Sequence, residues 1–373
     1  MVDQTAILIA AISGRALAAS ARRGGYLPLV TDFFGDQDTL HAAHGHVRLA
    51  GNLARGIEEQ ALLDALAELS ERHRPLGVVY GSGFEDRAQI LRRIAQRWRL
   101  FGNDAETVTR IKSPEFLAKM CGTLEIPIPE LSLIKPTSPA GWLAKRKGGA
   151  GGAHIGAARY ADPSRREIYY QRKVPGTSIS ALFLSDGARA TVLGLSEQWS
   201  LPASRRPYRY GGAVRPANIT PHASELLIAA IQRLAAAIPL FGLNSADFIV
   251  DGERFWLLEI NPRPGATLDL FEPPRESLFG LHVAACSGKL NAVAHDSNGA
   301  KAAAIVYAER NIRAVPMLDW PDWTADRPLA GSTVKAGEPL CTVYADEATT
   351  TGARELVKKR RALVLAWMQA GQR

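Results

Sequence analysis

The chain alternates short apolar runs with stretches whose apolar residues recur at helical spacing. Residues 5–12 form an apolar run suited to a buried strand, a helix-like segment leads from Ser13-Gly14 to Arg23, and a second run, 26–31, ends at Asp32. An amphipathic helix over 57–72, a strand over 76–80 and a helix over 85–98 continue the rhythm. Residues 1–105 are therefore expected to form a small doubly wound domain. The turn Ser13-Gly14-Arg15 is no Gly-x-Gly-x-x-Gly fingerprint, which argues against NAD. It reads equally as a plain turn or as a helix N-terminus that holds a substrate carboxylate with Arg15 beside it.

Further along, Ser113 caps a helix with Pro114 at its first position, running to about residue 124 before a Pro-rich segment at 127–139. A short strand at 142–145 enters Arg146-Lys147-Gly148-Gly149-Ala150-Gly151-Gly152-Ala153-His154. Strands are expected at 168–174, 179–184 and 190–197, and a helix at 223–238. Asp251-Gly252 then joins two strands, 245–250 and 254–258, as a two-residue hairpin turn. A helix at 276–286, strands at 302–308 and 340–344 and a final helix at 353–368 complete a mixed α/β (α+β) chain.

Composition narrows the class. The 373 residues are 46% hydrophobic and 22% charged, as in a soluble globular protein of two or three domains. No apolar run approaches the ~20 residues that span a bilayer, and the N-terminal residues show no basic segment before a signal-like core, so a cytoplasmic enzyme without a membrane partner is expected. Cys121, Cys286 and Cys341 are too scattered for a zinc site or a disulfide framework and read as buried thiols. The net charge of +8 is dispersed except at Arg205-Arg206-Pro207-Tyr208-Arg209, read as a mobile loop meeting an anionic substrate, and at Lys358-Lys359-Arg360-Arg361, read as a solvated helix face. A nucleic-acid partner is not expected.

The candidate chemistry centres on Leu257-Leu258-Glu259-Ile260-Asn261-Pro262-Arg263. In an extended chain Glu259, Asn261 and Arg263 point the same way, and the hairpin brings Asp247 close to the first two. Oxygen ligands from Asp247, Glu259 and Asn261 suit Mg²⁺ on a polyphosphate, with Arg263 as a donor fork for phosphoryl or acyl-phosphate oxygens. The loop Gly148 to Gly152 offers backbone N–H groups to phosphates, and Lys145 precedes it. His154, His222 and His282 are read as structural or exposed.

Taken together these motifs resemble the ATP-grasp superfamily of carboxylate-amine and carboxylate-thiol ligases and related carboxylases, most of all the ATP-dependent carboligases related to biotin carboxylase. The resemblance covers roughly residues 1–290. It implies an ATP-grasp fold with a Rossmann-like pre-ATP-grasp domain (1–105), an ATP-grasp domain (106–290, with a lid to about 172 and an Mg/ATP part from 173) and a small β-rich C-terminal lobe (291–373). Matched by position, Lys112 and Lys145 hold the ATP phosphates, with Lys119 and Lys147 as rivals. Gly148, Gly149, Gly151 and Gly152 belong to the phosphate loop, and Asp247, Glu259 and Asn261 to the metal. Arg263 acts on the transferring phosphate, and Gln171, Lys173 and Val174 occupy the adenine hinge, where Gln171-Arg172-Lys173-Val174 departs from the usual Glu-x-hydrophobic.

The resemblance implies ATP and Mg²⁺ as cofactors, with Mn²⁺ able to substitute, small-molecule carboxylate and amine substrates, and compatibility with a homodimer. It points to amide formation through an acyl phosphate, extending to amino-acid (glutamate) addition in making a one-carbon carrier of the methanofuran or methanopterin type. A bicarbonate-using carboxylase and a nucleotide sensor without turnover are the rivals. No Met-Lys-Met biotinylation signal is present.

Overall fold

The computed structural model describes residues 5–51, 53, 55–204, 206–291 and 299–370. The first unit runs β1 (Ala6–Ala10), α1 (Arg15–Arg23), β2 (Leu27–Asp32), α2 (Gln37–Ala42), β3 (Gly45–Arg48), α3 (Glu59–Glu71), β4 (Val78–Tyr80), α4 (Gln89–Ala95) and β5 (Leu100–Phe101). Its strands form a parallel sheet in the order β3-β2-β1-β4-β5. β1 is buried on both faces, which is why it reads as an unbroken apolar run. Ala6, Leu8 and Ala10 pack with Leu62 and Leu66 of α3, whereas Ile7 and Ile9 meet Leu17, Ala18 and Ala21 of α1.

The expected helix at 85–98 is shorter. α4 begins only at Gln89, because Gly81 and Gly83 break the chain after β4 and the Glu85 carboxylate turns back to accept the Gly83 N–H at 2.8 Å. Glu85 is thereby placed in a loop facing the rest of the molecule. α5 (Ala105–Ile111), capped by Asp104, was not expected; Thr107, Val108 and Thr109 are poor helix formers and mask its period. α6 (Pro114–Thr123) follows with Ser113 accepting from the Phe116 N–H.

A four-stranded antiparallel sheet comes next, β6 (Leu131–Ser132), β7 (Trp142–Arg146), β8 (Gly156–Ala157) and β9 (Ile168–Arg172), in the order β6-β9-β7-β8. The remaining strands build one eight-stranded sheet: β10 (Thr177–Asp186), β11 (Ala190–Ser200), β12 (Tyr210–Arg215), β13 (Phe241–Asp251), β14 (Arg254–Asn261), β15 (Ala300–Tyr307), β16 (Thr324–Ala325) and β17 (Pro339–Glu347). Their order is β14-β13-β10-β11-β12-β15-β17-β16. Helix α7 (Pro221–Ala237) buries Leu227, Ile231 and Leu234 against Ala181, Phe183 and Phe248 of this sheet. The chain after β14 forms α8 (Leu268–Phe271) and α9 (Leu278–Ala285), and α10 (Thr350–Ala370) seats Val357, Val364 and Met368 on β15 and β17. Strand β12, unexpected from its Gly211-Gly212 pair, joins the two halves of the sheet by pairing with β11 and β15.

Between the three sheets opens a cleft of about 2130 Å³. It meets the parallel sheet at the carboxyl ends of β1 and β4, where the strand order reverses, the usual ligand position in such sheets. No helix among the described residues is long and apolar enough to cross a membrane. Cys121 and Cys341 are buried free thiols and Cys286 is half-buried.

Candidate active site

Strand register assembles the acidic half of the site. β13 and β14 pair so that Asp247 stands opposite Glu259 and Ser245 opposite Asn261. On its other side β13 pairs with β10, which sets Ser180 opposite Asp247. The Ser180 hydroxyl donates to Asp247 Oδ1 at 2.6 Å, and Asn261 Nδ2 donates to Oδ2 at 3.1 Å. Lys112, at the end of α5, reaches across to donate to Glu259 Oε2 at 3.1 Å and to Asn261 Oδ1 at 2.7 Å. Asp247, Glu259, Asn261 and Lys112 thus form one hydrogen-bonded group.

The four-stranded sheet contributes the second lysine. Lys145 on β7 is buried and donates to Gln171 Oε1 on the neighbouring strand β9 at 2.6 Å. The two rival lysines lie elsewhere: Lys147 pairs with Glu115 at 2.7 Å and Lys119 is exposed. After β7 the glycine loop is fixed at both ends. Gly148 (φ +69°) packs so closely that a Cβ would lie 2.8 Å from the Glu85 carbonyl oxygen, and one on Gly152 (φ +69°) would lie 1.9 Å from that of Tyr208. The Gly151 carbonyl accepts the Tyr210 N–H at 3.0 Å. Glycine is required at 148 and 152 by both conformation and contact. Gly149 lies against the His154 ring.

Arg263, just beyond β14, donates from Nε to Glu85 Oε1 at 2.7 Å, with the side chains only 10% and 4% exposed. Glu85 arrives from the first unit, 178 residues away, and no local signal marks it. Nor does any mark Ser180, while His154, read from the sequence as structural or exposed, comes close enough to Glu259 to influence its charge.

Charge is unevenly held. Burial raises Asp247, and the facing Glu259 raises it further, against Ser180 and Lys112. Burial also works against Glu259, but Lys112, Lys145 and His154 outweigh it and hold that carboxyl below its ordinary range. Burial lowers Lys145 despite both carboxylates. Desolvation brings His154 down to about 4, so its imidazole is neutral near pH 7, and its Nδ1 has no hydrogen-bond partner. Burial opposes the charge on Glu85, yet Arg263 and Lys112 keep its carboxyl low. Two half-buried carboxylates with a carboxamide oxygen are a hard donor set, which fits Mg²⁺. Among the described residues no three His, Cys, Asp or Glu side chains cluster as a metal cage, so substrate or water oxygens would have to complete such a site.

Four expectations are corrected or narrowed. The β1–α1 turn does not offer a carboxylate site: the Gly14 N–H is taken by Asp32 Oδ2 at 2.9 Å, and Arg15 is held by Asp269 and Asp326. In the hinge, the Arg172 N–H donates to the Glu130 carbonyl and the Lys173 N–H to that of Gly141, each at 2.8 Å, so these amides are already engaged. Gln171, Lys173 and Val174 still line the cleft beside Ile249 and Leu258. Of the basic segment near 205, Arg205 lies outside the described residues; Arg206 lines the cleft, while Arg209 stacks 3.7 Å over the Tyr307 ring. In α10, Lys358 and Lys359 are exposed, but Arg360 packs over Trp323 at 4.9 Å.

Residues 115–267, which carry the acidic hairpin, the glycine loop and Lys145, match the ATP-grasp domain family. Residues 115–267 therefore carry an ATP-grasp domain. Solved structures share nearly the whole fold of the chain. The biotin carboxylase domain dimer of Hydrogenobacter thermophilus 2-oxoglutarate carboxylase, solved with MgADP, ADP and bicarbonate, superposes with a TM-score of 0.75 at 11% identity, over 95% of this chain and 89% of that one. Campylobacter jejuni biotin carboxylase in an ATP complex gives 0.72 at 13% identity, over 98% and 95%. Staphylococcus aureus N5-carboxyaminoimidazole synthetase gives 0.68 at 14%, over 96% and 97%. At these identities the similarity is one of fold.

Proposed function

We propose that this ATP-grasp enzyme is an ATP-dependent carboxylate-amine ligase. The observation that carries the reading is the convergence of Lys112, Asp247, Glu259 and Asn261 in one hydrogen-bonded group, with Lys145 and the glycine loop over the cleft and Arg263 at its edge. A substrate carboxylate oxygen attacks the ATP γ-phosphorus as its bond to ADP breaks. The amine nitrogen then attacks the acyl carbon, phosphate leaves, and the nitrogen gives up a proton as the amide forms.

Each residue has a task in this scheme. Lys112 and Lys145 offset triphosphate charge, and amides of the loop 148–152 approach its oxygens. Arg263 addresses charge that grows on the transferring phosphoryl group, oriented for it by Glu85. Gln171 and the Val174 backbone meet the adenine edge. Asp247, Glu259 and Asn261 would hold Mg²⁺, which when bound neutralises β- and γ-phosphate charge; Mn²⁺ would serve in its place. In this reading residues 106–172 act as the lid, 173–290 as the Mg/ATP part and 291–373 as a closing lobe. The finer assignment, glutamate addition to a precursor of a methanofuran- or methanopterin-type carrier in the cytoplasm, rests on the family resemblance. A homodimer is proposed on the dimeric neighbour.

The carboxylase reading keeps one specific support, the bicarbonate in the Hydrogenobacter thermophilus structure. Phosphate release with ATP and Mg²⁺ across a panel of carboxylates and amines separates the two. Release that needs both an organic carboxylate and an amine supports the ligase, release that needs bicarbonate supports the carboxylase, and release with neither overturns both.

A further inference from the structure

Behind the acidic hairpin lies a buried polar cluster to which the phosphate scheme gives no task. The ladder of β13 and β14 ends at the pair Ser245 and Asn261, and the chain then leaves β14 through Pro262 to Arg263. Pro262 has no N–H to extend the ladder. The Arg263 N–H turns back to donate to the Asn261 carbonyl at 2.9 Å, while the Pro262 carbonyl accepts from Asn103 Nδ2 at 2.9 Å. Both polar ends of the Pro262–Arg263 peptide are therefore held. A peptide unit is planar, so fixing its carbonyl and its N–H fixes the direction in which Arg263 leaves the strand.

Asn103, just beyond β5, is fully buried and uses its whole amide. Its Oδ1 accepts the Phe241 N–H at 2.9 Å, and Nδ2, with two hydrogens, has the Pro262 carbonyl and Asn244 Oδ1 each at 2.9 Å and the Phe241 carbonyl at 3.2 Å. One side chain thus ties the first residue of β13 to the residue that follows β14, at the open end of the hairpin. Tyr80, at the end of β4 and buried, holds Asn103 in turn. Its hydroxyl lies 2.8 Å from the Asn103 carbonyl and 3.1 Å from that of Pro262, and its single hydrogen favours the nearer. Burial, and after it Glu85, push that hydroxyl well above its ordinary range, so it stays a donor. Gly102 (φ +144°) makes room for the ring, since a Cβ there would lie 2.8 Å from Tyr80 Cε1. A buried carboxamide with every bond satisfied specifies one arrangement of the backbone around it.

We infer that Asn103, steadied by Tyr80, is a positioning residue for phosphoryl transfer: through the Pro262 carbonyl it sets the line along which Arg263 meets the transferring group. Glu85 fixes the same side chain at Nε, so Arg263 is held both at its backbone and at its guanidinium. The inference rests on the ligase reading, in which Arg263 acts on the transferring phosphoryl group. It gives the end of the first unit a part in the chemical step rather than in nucleotide binding.

Calorimetric titration of the full chain with Mg²⁺-ADP, alone and with orthovanadate as a mimic of the transferring phosphoryl group, tests this. Vanadate should tighten Mg²⁺-ADP binding to the wild type about a hundredfold, and Arg263→Ala should abolish most of that gain. Asn103→Ala should lose about tenfold or more of the gain while binding Mg²⁺-ADP alone within about threefold of the wild type. Tyr80→Phe keeps the ring, and with it the fold, and should lose about three- to tenfold of the gain with its one hydroxyl. Asn244→Ala is the comparison. It loosens the same cluster, but Asn103 Nδ2 can turn its spare hydrogen to the Phe241 carbonyl and keep its bond to Pro262, so the gain should stay within about twofold. A full gain in Asn103→Ala overturns the positioning role, as does a full gain in Tyr80→Phe if Asn103→Ala does not fold, and as does a loss in Asn244→Ala equal to that in Asn103→Ala. No binding of Mg²⁺-ADP to the wild type, or no gain with vanadate there, strikes the ligase reading instead, and the wild-type titrations separate that failure from the other.

Discussion

The acidic hairpin and the glycine loop face the same cleft but are held there by different means. Asp247, Glu259 and Asn261 sit on strands β13 and β14, and their positions follow from the register of two neighbouring strands joined by a tight turn. The loop 148–152 belongs to no sheet. It is placed by Glu85 and Asp86 from the first unit and by Tyr208 and Tyr210 ahead of and on β12. Groups fixed by register are suited to chemistry that tolerates little displacement, and groups held by docking are suited to opening and closing over a substrate.

The most severe break in this comparison is Glu259→Gln. It keeps the shape of the hairpin but removes the charge that Lys112 and Lys145 face, and should lower phosphate release by about a thousandfold or more with unfolding little changed. Near wild-type turnover would show that the hairpin does not hold the reactive phosphates. Arg263→Ala should lower the turnover number by about a hundred- to a thousandfold with a smaller change in the Michaelis constant for ATP. It also strands Glu85, at a cost of about 3–5 kcal/mol in denaturant unfolding. The double variant Glu85→Gln/Arg263→Ala should recover much of that stability and none of the turnover, and joint recovery would make Arg263 a structural residue.

Lys145→Ala belongs to the lid side and should act on binding. It should raise the Michaelis constant for ATP about ten- to a hundredfold, while a loss confined to turnover would move Lys145 to the chemical step. The mildest change is Gly152→Ala, whose Cβ cannot coexist with the present Tyr208 contact. It should raise the ATP Michaelis constant severalfold, by about 1 kcal/mol of lost closure, and speed hydrogen exchange over residues 148–155 more than in β13 and β14. Equal acceleration in the hairpin would erase the distinction between the two regions.

The same contrast explains what could be read before folding. The hairpin was legible because its strands are adjacent in sequence, its turn is Asp251-Gly252, and alternation puts Glu259 and Asn261 on one face. Strand β1 was legible because both its faces are buried. Glu85 was not, since it was counted within a helix that starts only at Gln89, and its bond to Arg263 spans the length of the ATP-grasp region. Ser180 is one of several small polar residues on an otherwise apolar strand, and only pairing with β13 gives it a partner. The turn at Gly14-Arg15 stayed open between two readings for the complementary reason: Asp269 and Asp326, which satisfy Arg15, lie more than 250 residues away.

Because β12 hydrogen-bonds to both β11 and β15, the strands after residue 299 are woven into the same fabric as the acidic hairpin. Shortening the protein before β15 would tear a sheet through its middle and bare a long strand edge, an invitation to self-association. The continuous sheet also limits how the molecule can flex. Bending is resisted along its eight strands, whereas the four-stranded sheet is tied to it in sequence through the brief link between β9 and β10, around Pro175-Gly176. Opening would then resemble a small leaf turning on a broad, stiff page, with the C-terminal helix travelling as part of the page.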